Sequence, residues 1–176
     1  PAALGLMTSL RLYSTSEFMV LDAATRRNLE LTETLRGETS GSLLGNLDQT
    51  VTPMGKRLMR QWVSQPLLDI EKIRNRQDGV EYFFSNSMLR VELRAALKPL
   101  ADLERLTNRV ISGHAQPRDL VAMRETLARL PVIHRSIVKK DGQNDIESSP
   151  HSSLPEFQDC VDELHLLQAA IDDDPP

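Results

Sequence analysis

The sequence predicts a mainly α fold: a multi-helical core domain with one or two short strands near its N-terminus. Three observations lead there. Hydrophobic residues make up 40% and aromatics only 4% of the 176 residues, a Leu- and Arg-rich mix nearer to a helical protein than to a sandwich or barrel. Apolar residues recur at three- and four-residue spacing over most of the chain. Between these stretches stand Asp, Ser, Thr-Pro and Gly, which start and stop helices.

Taken in chain order, the imperfect alternation over residues 6–12 and the run Phe18-Met19-Val20-Leu21 are the strand candidates, with a turn around Ser14-Thr15-Ser16. Asp22 reads as an N-cap, because its carboxylate can accept from free N–H groups of the next turn, and a short helix should follow to about Asn28. Residues 32–41 are dense in Thr, Gly and Ser and read as a loop; Ser42 then caps Leu43, Leu44 and Leu47. Thr52-Pro53 puts a capping hydroxyl before a proline whose missing N–H costs nothing at the first helical position. Behind it Met54, Leu58, Met59 and Trp62 form one apolar stripe, with Trp62 expected at the centre of the core and the helix ending before Pro66.

Asp69 caps the next helix, with Ile70, Ile73, Gln77, Val80 and one of Phe83 and Phe84 expected inward. Leu89, Leu93 and Leu97 carry the periodicity to Pro99. Leu100, Leu103, Leu106 and Val110 supply another stripe, closed by Gly113 as C-cap. Pro117 and Asp119 open a helix bearing Leu120, Met123, Leu127 and Leu130, which Pro131 should bend or restart. The core is thus expected to include Met54, Leu58, Trp62, Leu103 and Leu120. Residues 139–154 turn polar, with almost nothing apolar to offset the entropy of ordering, so a mobile loop is expected there. A final helix should occupy residues 155–176, with Phe157, Val161, Leu164, Leu167 and Ile171 on one side.

Composition narrows the function classes. No apolar run approaches the roughly 20 residues of a membrane-spanning helix, so a soluble protein is expected. A lone cysteine, Cys160, can form neither an internal disulfide nor a Cys-based zinc site, which favours an intracellular compartment. The net charge of −4 conceals a division: all 21 Lys and Arg lie at or before Lys140 beside 15 of the 25 acids, whereas residues 141–176 hold the other 10 acids. A basic body with an acidic tail results, a split that solvated helix faces can also produce.

No residue pattern assigns chemistry. Gly55-Lys56 lacks the second glycine and the Gly-Lys-Ser/Thr tail of a phosphate loop, so no catalytic or cofactor-binding residue is expected. His114, His134, His151 and His165 have no neighbour at zinc-ligand spacing, so no metal is expected. Carboxylate pairs such as Glu30 with Glu33 are commonplace on helices. Two basic groups remain: Arg26 with Arg27, and Lys56, Arg57 and Arg60. They suit phosphates or another domain's acids, with solvated or intradomain pairing as the plain alternative. No aromatic residue interleaves with them as a stacking platform.

The string Asp22-Ala23-Ala24-Thr25-Arg26-Arg27-Asn28-Leu29-Glu30-Leu31 closely resembles the entry to the core domain of the MutS family of DNA mismatch repair proteins, bacterial members most of all. Thr50-Val51-Thr52-Pro53-Met54-Gly55, Arg60-Gln61-Trp62, Gln65-Pro66-Leu67, Asp102-Leu103-Glu104-Arg105-Leu106 and Pro117-Arg118-Asp119-Leu120 follow in that family's order. The resemblance covers about residues 18–130, and Ala170-Ile171-Asp172 resembles the end of the same unit.

It implies a piece of a longer chain. Residues 1–21 would be the exit of the connector domain, 22–138 the helical core, 139–154 the loop, and 155–176 a helix leading toward the lever and clamp. The parent chain would be a DNA-dependent ATPase that binds mismatched double-stranded DNA and couples recognition to its ATP state. It would use ATP and Mg, form a homodimer through other domains and work with a MutL-type partner. Its place would be the bacterial cytoplasm, or an organelle or nucleus for a eukaryotic homologue. The family's Phe-x-Glu wedge and phosphate loop are absent from this segment, so its implied role is structural transmission. Two alternatives stand beside this: an independent helical adaptor, and a branch of the family without mismatch recognition.

Overall fold

The computed structural model describes residues 17–138 and 158–172, and among them the regular elements are helices. The helices are α1 (Ala23–Asn28), α2 (Leu43–Leu47), α3 (Pro53–Ser64), α4 (Ile70–Ser85), α5 (Ser87–Leu97), α6 (Leu103–Ile111), α7 (Pro117–Leu127), α8 (Leu130–Val138) and α9 (Val161–Ala170). Among the described residues no N-terminal strand forms. Residues 6–12 lie outside the described residues, and Phe18 makes one isolated antiparallel bridge to Leu67. Met19 N–H donates to Pro66 O (2.8 Å) and Leu68 N–H to Glu17 O (3.1 Å). Pro66 has no N–H to offer, so this pairing cannot grow into a ladder on that side.

The chain divides into two compact units, one made of residues up to Gln49 with Arg57–Ile73, the other of Thr50–Lys56 with the residues from Arg74 onward. In the first unit α2 is held by its N-terminus. Ser42, fully buried, accepts from Gly45 N–H at 3.1 Å. The Leu43 and Leu44 N–H groups, orphans at any helix start, donate to the carbonyls of Glu30 (3.0 Å) and Leu31 (2.8 Å). These bonds seat Leu44, the buried apolar residue of α2.

The core of the second unit lies between α5 and α8. Leu89, Leu93, Leu100 and Ile133 are buried together, with Tyr82, Phe83, Ala96, Leu97 and Ile137 packed around them. Thr126, 1% exposed, links α7 to the segment before α6. Its hydroxyl accepts from Ala101 N–H (3.0 Å) and donates to Ala122 O (2.8 Å). Arg109 and Asp119 join α6 to α7 at 2.6 Å, and Arg124 donates to Ile171 O at 2.7 Å where α7 packs on α9. His134 Nδ1 and Asp159 Oδ1 meet at 3.1 Å just before α9.

The local start signals act as the sequence suggests. Asp22, Ser42, Thr52 and Asp69 each accept from a first-turn N–H, Gly113 takes φ +71° after α6, and the chain restarts at Leu130 beside Pro131. Three expectations about burial need correction. Leu58 and Trp62 are exposed rather than central, Trp62 by 38%, and Met54 is half-buried. The periodicity of α3 marks its apolar face without supplying a layer to cover it, and α3 has no buried residue. On α4 the less exposed line runs through Ile73, Arg76, Gly79, Tyr82 and Phe83, whereas Ile70, Gln77, Val80 and Phe84 are exposed. Leu103 and Leu120 are half-buried, and their helices bury Leu106, Thr126 and Leu127 instead.

The expected start near Pro155 lies outside the described residues; α9 itself begins at Val161, after Cys160 in the left-handed region (φ 49°). Its Leu164, Leu167 and Ile171 are half-buried, Val161 is exposed, and Phe157 and the expected 139–154 loop lie outside the described residues. One consequence is testable. Trp62→Ala should cost about 1–2 kcal/mol, below the roughly 3–5 of a fully buried ring. A urea titration giving about 3 kcal/mol or more would return Trp62 to a core.

Candidate functional site

The expected arginines gather at one place in the first unit. Asp22 fixes the start of α1, its Oδ1 accepting from Thr25 N–H at 2.6 Å. That backbone bond comes first among the causes that hold the Asp22 carboxyl below its ordinary value, with the Thr25 side chain adding to it. Arg26 and Arg27 occupy the last turn of α1, where cations suit the helix dipole. The chain then reverses through Glu30, a non-glycine residue at φ 48°. Its carbonyl accepts from Leu43 N–H and its carboxylate from Leu35 N–H at 2.7 Å, so both ends of the residue are tied.

A second turn follows, closed by Thr34 N–H to Glu38 O and Gly37 N–H to Thr34 O, both 2.8 Å. Gly37 sits at φ +83°, a conformation that favours glycine. Between α1 and this turn lies an open depression of about 630 Å³. Arg26 and Arg27 line one side; Thr32, Glu33, Thr34 and Leu35 line the other. Arg60, from α3, is not among the lining residues but pairs with one of them, Glu33, at 3.1 Å, both side chains about half exposed. Such a pair contributes at most about 1 kcal/mol in water.

Arg26 and Arg27 therefore line one depression and Arg60 is tied to it through Glu33, whereas Arg57 does not line it and Lys56 falls in the second unit. Pattern reading names Glu33 only as half of a commonplace carboxylate pair and passes over Thr34 and Leu35. Gly37 hinted at the turn, but nothing local ties Glu33 to a residue 27 positions away. Among the described residues no three His, Cys, Asp or Glu side chains gather as a metal site, and no helix is long and apolar enough to cross a membrane.

In the second unit a polar tie joins the start of α7 to α6. Gln116 N–H donates to Asp119 Oδ2 at 2.9 Å while Arg109 holds Oδ1. The Gln116 N–H is the main cause that lowers the Asp119 carboxyl; partial burial opposes it and Arg109 reinforces it. A carboxyl lowered on folding stabilises the fold above its unfolded value and loses that effect as pH falls through the folded one. Asp119→Asn should therefore lower the urea midpoint most at pH 7, and the difference from the parent chain should shrink as pH falls below the ordinary carboxylate range. An equal loss across that range would show that Asp119 acts by packing alone.

A family model described as MutS domain III matches residues 24–176. The DNA mismatch repair protein MutS of Pelotomaculum thermopropionicum is 43% identical over 166 residues, which is 93% of this chain and 19% of that protein. The MutS of Symbiobacterium thermophilum is 42% identical over 177 residues, 99% of this chain and 20% of that one. The MutS of Roseiflexus castenholzii is 44% identical over 153 residues, covering 85% and 14% respectively. The chain thus spans about a fifth or less of the length of these relatives.

Proposed function

The chain belongs to the MutS family, within its domain III, and from that premise we propose that it is the noncatalytic core, or lever, of a DNA mismatch repair ATPase. The observation that supports this most directly is the match of residues 24–176 to that one domain. The parent chain would bind mismatched duplex DNA, hydrolyse ATP with Mg, dimerise through other domains and meet a MutL-type partner. In a bacterium it would work in the cytoplasm.

The physical role of this segment is to pass on a displacement. Helices joined by a few directional bonds move as a body until one bond breaks, which is what a two-state element needs. The Arg109–Asp119 pair and the Arg124–Ile171 bond are bonds of this kind, tying α6, α7 and α9. Here the polar contacts fix helix against helix, and the chemistry belongs to the rest of the parent.

The test has two arms. The purified chain should neither hydrolyse ATP nor prefer mismatched to matched duplex, and any weak duplex binding should fall steeply with salt. A salt-insensitive mismatch preference would overturn the reading. In the second arm, the chain replaces the matching fifth of the Symbiobacterium thermophilum protein. The chimera should keep mismatch preference and its response to ATP. A folded chimera that lost both would show that this segment is not an equivalent core.

A further inference from the structure

We infer that the Arg26–Arg27 depression is a docking site for an acidic, partly apolar segment of the same parent polypeptide. The inference rests on the reading of this chain as one domain of a longer protein. Three features select the occupant. First, the Arg26 and Arg27 side chains make no hydrogen bond or ion pair among the described residues, although both line the depression. Arg60, by contrast, is engaged by Glu33. Each guanidinium presents a planar donor fork that matches a carboxylate.

Second, the lining is mixed. Leu21 contributes apolar surface and Leu35 is more than half exposed, so a ligand that offers only charge would leave this surface in water. A peptide bearing Asp or Glu beside an apolar side chain fits both. Third, Glu33 lies in the same wall. Its carboxylate repels a continuous phosphate backbone, while a peptide can place its acids on the arginine side and its apolar group against Leu35. No aromatic side chain lines the depression to stack a base. The relatives supply the remaining requirement, because they are about five times as long as the matched segment.

Docking of this kind would give the core a contact that is broken by charge rather than by loss of packing. In the full-length chimera, Leu35 is replaced by the photo-cross-linking residue p-benzoylphenylalanine, and the cross-linked peptides are identified by mass spectrometry with and without duplex DNA. The expected product is an Asp- or Glu-containing peptide from outside the grafted segment. The double variant Arg26→Glu/Arg27→Glu should lower its yield about tenfold, a weakening equivalent to 1.4 kcal/mol.

Cross-linking to DNA would overturn the proposal in favour of a phosphate contact. So would a product that is insensitive to the charge reversal, a product within the grafted segment, a product shown by isotope-mixed dimers to come from the second copy, or no product. Mismatch preference is measured on the same chimera. If it persists while the cross-link is absent, only the docking site fails; if it is lost, the failure lies with the proposed function.

Discussion

Leu89→Ala is expected to destabilise the second unit by about 3–5 kcal/mol, a large share of the roughly 5–15 kcal/mol that holds a domain together. Leu89 is 0% exposed and lies at the centre of the cluster with Leu93, Leu100 and Ile133. The cost depends on whether the neighbours can close the void, and here they are held in place. Just before α5 the chain breaks at Asn86, and the carbonyls left at the end of α4 are taken by side chains: Asn86 Nδ2 donates to Tyr82 O at 2.9 Å, and Arg90 Nη1 to Phe83 O at 2.6 Å and Phe84 O at 3.1 Å. Tyr82 and Phe83, whose rings meet edge to face at 5.3 Å, are fixed by these bonds above the cavity. Val91→Ala, on the exposed side of the same helix, should change stability by about 0.5 kcal/mol or less. Urea unfolding of both variants checks the claim, and similar losses in the two would mean that α5 does not bury the Leu89 face.

Helix starts were legible because their cause is local. Asp22, Ser42 and Asp69 satisfy N–H groups two or three residues away, and that chemistry is written in neighbouring letters. Burial was not, because it depends on what lies opposite. Leu89, Leu93 and Leu97 read correctly as an inward line, yet the same spacing in α3 made Trp62 look central when it is exposed. On α4 two lines of residues were available, and the one through Ile70, Val80 and Phe84 was the more apolar. The structure places the other inward, where Gly79 and Tyr82 lie. The site was half visible for the same reason. Arg26 and Arg27 stand next to each other in the sequence, whereas the Glu33–Arg60 pair exists only once α3 comes near.

Gly45→Ala is expected to damage the first unit although alanine is the better helix former. Within α2 the exchange should gain about 1 kcal/mol of helix propensity. Opposing this, a Cβ at position 45 would collide with the carbonyl oxygen of Thr39, which is backbone rather than a side chain that could swing away. That oxygen is itself held, accepting from the Ser42 hydroxyl at 2.6 Å and from Ser42 N–H at 3.2 Å. Relief therefore requires the 39–42 turn to open, which exposes the buried Ser42 and loosens the Leu43 and Leu44 N–H groups from Glu30 and Leu31. The net loss should be on the order of 2 kcal/mol or more, the range of an overpacked core. Hydrogen exchange at the Leu43 and Leu44 amides should speed up in parallel, and because Glu30 also anchors the turn after α1, the arginine depression should loosen with them. Gly79, inside α4 with nothing within 4 Å of an added Cβ, provides the contrast. Gly79→Ala should stabilise by about 0.5–1 kcal/mol, through helix propensity and a less flexible unfolded chain. Opposite signs for one chemical change at two helical glycines would isolate the Thr39 collision as the cause, and a stabilised Gly45→Ala would refute it.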